Sequence, residues 1–223
     1  MQASRPSAST LVRIGAGDAL IVVDVQNDFL PGGALPVAAG DSVIEPLNRL
    51  ARRFAAARLP VFATRDWHPR DHCSFRERGG PWPPHCVAGS PGAEFPATLR
   101  LPAGVGVVSK ATLSDADAYS GFDGTDLAPQ LRRLGVRRVF VGGLATDYCV
   151  RATVQDALRG GFEAVLLEDA VRAVDVSPGD GERARHEMVA AGAIAASARD
   201  LLGEQDVRAE QDVGDLRDTR DER

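Results

Sequence analysis

Cys149 stands where a cysteine can act as a nucleophile. It lies in VGGLATDYCV (residues 141–150), after a glycine pair and in the first turn of a predicted helix. The glycines allow a tight turn with close backbone approach, and Thr146 or Asp147 is placed to cap the helix. Free N–H groups and the helix dipole at such a start favour a thiolate and can hold an oxyanion. Strand, glycine turn and nucleophile at a helix start repeat the arrangement of a nucleophile elbow. A cysteine in an apolar helix can equally be core, and the segment alone leaves both readings open. A nucleophile also needs a proton acceptor, and Asp24, closing the apolar run 19–24, is a candidate. Lys110 closes another such run, and it is the single lysine in a chain with 25 arginines. Its compact ammonium can stabilise a carboxylate–thiolate pair where the planar guanidinium of arginine does not fit. By composition alone its survival is as well explained by drift.

A second group of residues has the chemistry of a metal site. Of four histidines, His68, His72 and His85 fall within 18 residues, and Asp66 stands two before His68. One carboxylate with imidazoles and water suits zinc, iron, manganese or cobalt rather than calcium or magnesium. Open positions filled by water make such a site catalytic in kind. Two other readings stay open: histidines that brace a proline-rich loop, and a Cys/His zinc site using Cys73 or Cys86, whose spacing matches no finger pattern. His186, among charges in a late helix, reads as surface.

These residues need elements to bring them together. Short apolar runs at 19–24, 59–66, 104–110, 137–143 and 162–169 alternate with helical patterns at 41–58, 127–134, 146–159 and 182–191, and a short last strand is predicted within 192–197. Continuous apolar runs separated by helices predict an α/β fold: three layers, with a central, mostly parallel sheet flanked by helices. Such folds bind ligands beyond the C-terminal ends of their strands. Asp24, Asp66, Lys110 and the turn at 142–149 all occupy such ends. The irregular stretch 67–102, rich in Pro, Gly, His and aromatics, is long enough to be functional rather than filler. Neither a GxGxxG nor a GxxxxGK[ST] loop is present, so the fold is not read as nucleotide-binding.

Composition narrows the class. A chain of 223 residues with 44% apolar and 26% charged residues is a soluble globular protein of one domain. The net charge of -5 implies no nucleic-acid surface, and no apolar window is long enough for a membrane span or a secretory signal. Three cysteines, an odd number, argue against a disulfide scaffold and suit a reducing cytoplasm. Residues 203–223 carry eight acids and four arginines and read as a charged, flexible tail.

Five segments together resemble the nicotinamidases (pyrazinamidases) within the isochorismatase-like, or cysteine, hydrolase family: VVDVQNDF (22–29), TRDWHPRDHCSF (64–75), PWPPHC (81–86), SKATLSDADAYSGF (109–122) and VGGLATDYCV. The resemblance implies the isochorismatase-like hydrolase fold over 17–202, leaving a polar N-terminal extension at 1–16 and the tail at 203–223. It implies hydrolysis of nicotinamide to nicotinate and ammonia in NAD salvage, with pyrazinamide as a further substrate. Asp24, Lys110 and Cys149 are then the catalytic triad, and the N–H groups of Ala145 and Cys149 the oxyanion hole, after a cis Leu144–Ala145 bond. Asp66, His68, His85 and, in some members, His72 hold one divalent ion, with zinc, iron or manganese the candidates. Phe29, Trp82 and Tyr119 wall the substrate slot. The implied partner is a small molecule, and the chain is expected to be a monomer or small homo-oligomer. Relatives acting on carbamoyl or ureido amides are the alternative.

Overall fold

The computed structural model describes residues 12–202. Residues 1–11, the larger part of the expected N-terminal extension, and the expected tail at 203–223 lie outside the described residues. Six strands form one sheet: β1 (Asp18–Val23), β2 (Val61–Asp66), β3 (Gly106–Lys110), β4 (Arg138–Leu144), β5 (Glu163–Arg172) and β6 (Ile194–Ala196). Their order is β3-β2-β1-β4-β5-β6, and every pairing is parallel.

The reason lies in the apolar runs. All six residues of β1 are buried, because a strand covered on both faces has no solvent-facing side. Leu20 and Val22 enter one core with Leu47, Leu50 and Phe54 of helix α1 (Ile44–Ala56) and Leu201 of α5 (Ala198–Leu201). Ala19, Ile21 and Val23 point the other way. They meet Leu127 and Leu131 of α2 (Leu127–Arg133), Val154 of α3 (Arg151–Arg159) and Met188 of α4 (Asp180–Ala190). The three predicted layers are thus present. The strand order reverses between β1 and β4, and crevices for ligands open at such a reversal.

Two local expectations differ. The helix predicted from residue 41 starts with a 3-10 turn over Gly40–Val43, and α1 ends at Ala56. The helix predicted over 146–159 begins as a π-turn, Thr146–Val150, with no side-chain cap. Asp147 is used elsewhere: its carboxylate accepts from the N–H groups of Val174 and Asp175, each at 2.9 Å. The acid closes the loop after β5 onto the turn instead of capping the turn itself.

Gly143 sets the approach of β4 to β1 just before that turn. Its φ is +128°, and a Cβ there would stand 2.1 Å from the Val23 carbonyl oxygen. Gly143→Ala is therefore expected to lower unfolding stability by about 3 kcal/mol, from strain and steric overlap together. Urea denaturation checks this; an unchanged midpoint would mean that the two strands can move apart freely.

Candidate active site

The ends of the four adjacent strands β3, β2, β1 and β4 bring the predicted residues together. Lys110 is the last residue of β3, Asp66 the last of β2 and its register partner. Asp24 follows β1 directly, in a left-handed conformation (φ +48°) that turns the chain out of the sheet. Cys149 lies in the π-turn after β4. All four are buried.

Lys110 is the hub. Its Nζ lies 2.9 Å from Asp24 Oδ2 and donates to Asp66 Oδ1, to the Ala118 carbonyl oxygen at 3.2 Å and to Cys149 Sγ at 3.5 Å. Thr64 Oγ1 donates to the other Asp24 oxygen at 2.6 Å. Burial alone would drive the ammonium to lose its proton, but Asp24 and Asp66 outweigh it and raise the Lys110 pKa well above its ordinary value. Burial likewise raises Asp24, against the pull of Lys110. Asp66 is lowered, since Lys110 and the nearby imidazoles outweigh its burial.

The thiol departs from expectation. Burial pushes Cys149 well above its ordinary pKa, and Lys110 only partly offsets this. A helix start was expected to favour the thiolate. Here desolvation outweighs the neighbouring ammonium, and the shift runs opposite to the one a helix start favours.

Three of the candidate metal ligands lie together. Ligand atoms of Asp66, His68 and His85 all lie within 4.8 Å of one another, and all three residues are buried. His68 Nδ1 donates to the Ala111 carbonyl oxygen at 3.2 Å, and His85 Nδ1 to that of Pro83 at 2.8 Å. These bonds leave each Nε2 with its lone pair free, as metal-binding imidazoles require. Burial also keeps the imidazoles neutral: His68 is pushed down to about 4 and His85 is lowered. One carboxylate and two neutral imidazoles are a fitting donor set for a divalent transition ion with solvent-open positions.

His72 sits differently. Its ring lies 4.1 Å from that of His68, centroid to centroid, yet both ring nitrogens are engaged, Nδ1 with Ser74 Oγ at 2.7 Å and Nε2 with the Ala116 carbonyl oxygen at 3.2 Å. In this arrangement it braces the loop that carries Tyr119. Cys86 is a packed thiol, fully buried and raised by that burial. His186 is exposed, as expected.

A cavity opens at these strand ends. Phe29, Trp82, Tyr119, Ala145 and Cys149 line it, together with Asp66 and His85. The Leu144–Ala145 peptide is cis. Trp82 Nε1 donates to the Tyr119 hydroxyl at 3.2 Å, which holds two walls of the slot together.

Sequence reasoning missed several residues. Tyr148 lines the cavity, edge-on to Trp82 with centroids 5.2 Å apart; its place beside the nucleophile was the available signal. Thr64, hidden in an apolar run, orients Asp24. Gln26 is fully buried, and its amide exchanges bonds of 2.8 Å with the N–H and carbonyl of Asp66. Leu35, Val37 and Val174 complete the apolar lining, and nothing in the sequence marks them. Among the described residues, no helix is long and apolar enough to cross a membrane.

Comparison with known proteins agrees with this geometry. The chain is 37% identical to a nicotinamidase of Acinetobacter baylyi over 206 residues, 82% of this chain and 94% of that protein. It is 43% identical to a nicotinamidase/pyrazinamidase of Mycobacterium tuberculosis over 164 residues, 70% and 87% of the two chains. The solved structure of a pyrazinamidase of Pyrococcus horikoshii in complex with zinc superposes with a TM-score of 0.78 at 55% identity, covering 81% of this chain and 99% of that one. The model of the isochorismatase domain matches residues 18–200, from the first residue of β1 into α5. With the whole sheet and the strand ends that bear its reactive side chains inside that match, this chain belongs to the isochorismatase domain family and is closely related to the nicotinamidases and pyrazinamidases.

Proposed function

We propose that this protein is a nicotinamidase, a metal-dependent cysteine amidohydrolase that converts nicotinamide, and pyrazinamide, to the carboxylic acid and ammonia. The observation that carries the reading is buried Lys110 touching Asp24, Asp66 and Cys149, the last two of which line one cavity. It ties a nucleophile, its base and a metal ligand to a slot with aromatic walls, suited to a flat ring.

Asp24 takes the Cys149 proton as sulfur attacks the carboxamide carbon. The charge that builds on the amide oxygen is held by the N–H groups of Ala145 and Cys149. Asp24 returns the proton to the departing nitrogen, the C–N bond breaks, ammonia leaves, and a thioester remains on Cys149. Water then attacks the thioester with Asp24 again as base, and the acid is released as sulfur regains its proton. Lys110 keeps Asp24 oriented and offsets negative charge at each stage. Asp66, His68 and His85 would hold the divalent ion, with His72 behind them. When bound, the ion supplies a Lewis-acid seat for the ring nitrogen of the substrate. Phe29, Trp82 and Tyr119 position the ring. Nicotinate so formed serves NAD salvage in the cytoplasm, where free thiols persist.

The test is ammonia release from nicotinamide, pyrazinamide and N-carbamoyl amides by the purified protein, before and after chelation. Turnover is expected with the two ring amides. Chelation is expected to reduce it on the order of 100-fold, by loss of substrate orientation, and zinc, iron or manganese to restore it. Turnover of carbamoyl substrates alone would replace this reading with the ureido-amide one. Undiminished activity in metal-free protein would remove the proposed substrate seat.

A further inference from the structure

The segment that joins Asp24 to Phe29 has a role beyond carrying those two residues. We propose that Asp28 is a positioning residue for the metal centre, the anchor that holds His85 against Asp66 and His68. This rests on the metal-dependent reading above.

His85 reaches the site midway along an irregular excursion from β2, so its place depends on what ties that excursion down. Asp28 Oδ2 accepts from the Cys86 N–H at 2.7 Å, one residue past the ligand. The Cys86 carbonyl in turn accepts from His68 N–H at 3.0 Å. One carboxylate therefore holds Cys86, the residue whose backbone joins the two ligand-bearing segments. Its neighbours tie down the same excursion farther along. Gln26 Nε2 donates to the Ala93 carbonyl at 2.9 Å as well as to that of Asp66, and Asn27 Nδ2 donates to the Pro91 carbonyl at 2.8 Å. Asp28 Oδ1 accepts from Ala34 N–H at 3.2 Å, which fastens its own loop. The packing leaves no freedom on the far side, because a Cβ on Gly92 would stand 2.2 Å from Asp28 Oδ2. Polar partners behind metal ligands commonly hold 10–100-fold in affinity, and Asp28 acts one peptide farther back by the same means.

The experiment measures zinc affinity of the full chain by competition with a chromophoric chelator, alongside thermal unfolding of the metal-free protein. Asp28→Ala is expected to weaken zinc binding about 30-fold. Gly92→Ala removes no hydrogen-bonding group but displaces the carboxylate, and is expected to weaken it about 10-fold. Asp147→Ala is the control. It removes another acid that fastens a loop, with a carboxylate bonded to the Val174 and Asp175 N–H groups rather than to a ligand-bearing segment, and is expected to lower the unfolding temperature while leaving zinc affinity within twofold. Zinc affinity within twofold of the parent in both Asp28→Ala and Gly92→Ala overturns the proposal. If Asp28→Ala does not fold, an unchanged affinity in Gly92→Ala alone overturns it. An equal loss in Asp147→Ala overturns it too, since the effect would then be general loosening. A parent protein that binds no zinc, iron or manganese refutes the metal centre itself, which is a different failure.

Discussion

Cys149→Ala is expected to lower amide hydrolysis on the order of 10⁵-fold or more, the scale seen when a hydrolase loses its nucleophile. The same substitution leaves Phe29, Trp82, Tyr119 and the metal ligands in place, so nicotinamide should still bind with an affinity close to that of the parent protein. Cys149→Ser should be nearly as inactive. A buried hydroxyl is harder to deprotonate than a thiol that burial has already raised, and Asp24 would face a larger proton-transfer barrier. Steady-state ammonia release and calorimetric binding separate the two effects. Rapid acid quench of the parent protein should trap a nicotinoyl group on the Cys149 peptide. Full turnover in Cys149→Ala would end the thioester mechanism.

The second large effect is at Lys110. Lys110→Arg keeps the charge, yet turnover is expected to fall by about 10³-fold, roughly 4 kcal/mol of transition-state stabilisation. One ammonium meets Asp24, Asp66, the Ala118 carbonyl and the Cys149 sulfur at a fully buried point. A planar guanidinium is larger and spreads its donors along a fixed fork, so it cannot occupy that point without pushing the carboxylates apart. Lys110→Met removes the charge and leaves two buried carboxylates facing one another. Breaking a buried pair in this way costs about 3–5 kcal/mol of stability, and urea denaturation should show it. Near-normal turnover in Lys110→Arg would return the lone lysine to compositional drift.

Lys110 also illustrates how far the sequence could be read. Its solitude among 25 arginines and its place at the end of an apolar run were visible, as was its pairing with Asp24 and Cys149. Its bond to Asp66 was not. Strand order decides that contact, and no pattern within a run shows that β2 lies between β3 and β1. The same limit hid Gln26 and Thr64. Both act across 40 residues of sequence, and neither has a residue type that announces chemistry.

The sequence by itself determined the layered α/β class and the positions of the strands and offered the candidate triad and metal ligands, while the aromatic wall came only from the family resemblance. Apolar periodicity and the chemistry of side chains are local properties, so they survive without a fold. Tertiary structure decided what depends on distance and desolvation. It left His72 with both ring nitrogens engaged beside the ligand cluster, assigned Asp147 to the Val174 loop rather than to a helix cap, and brought Tyr148 to the cavity wall. It also reversed the expected direction of the Cys149 shift. A helix start argues for a thiolate, but the cost of burying that charge is set by everything packed around it, and only the folded chain brings those neighbours together.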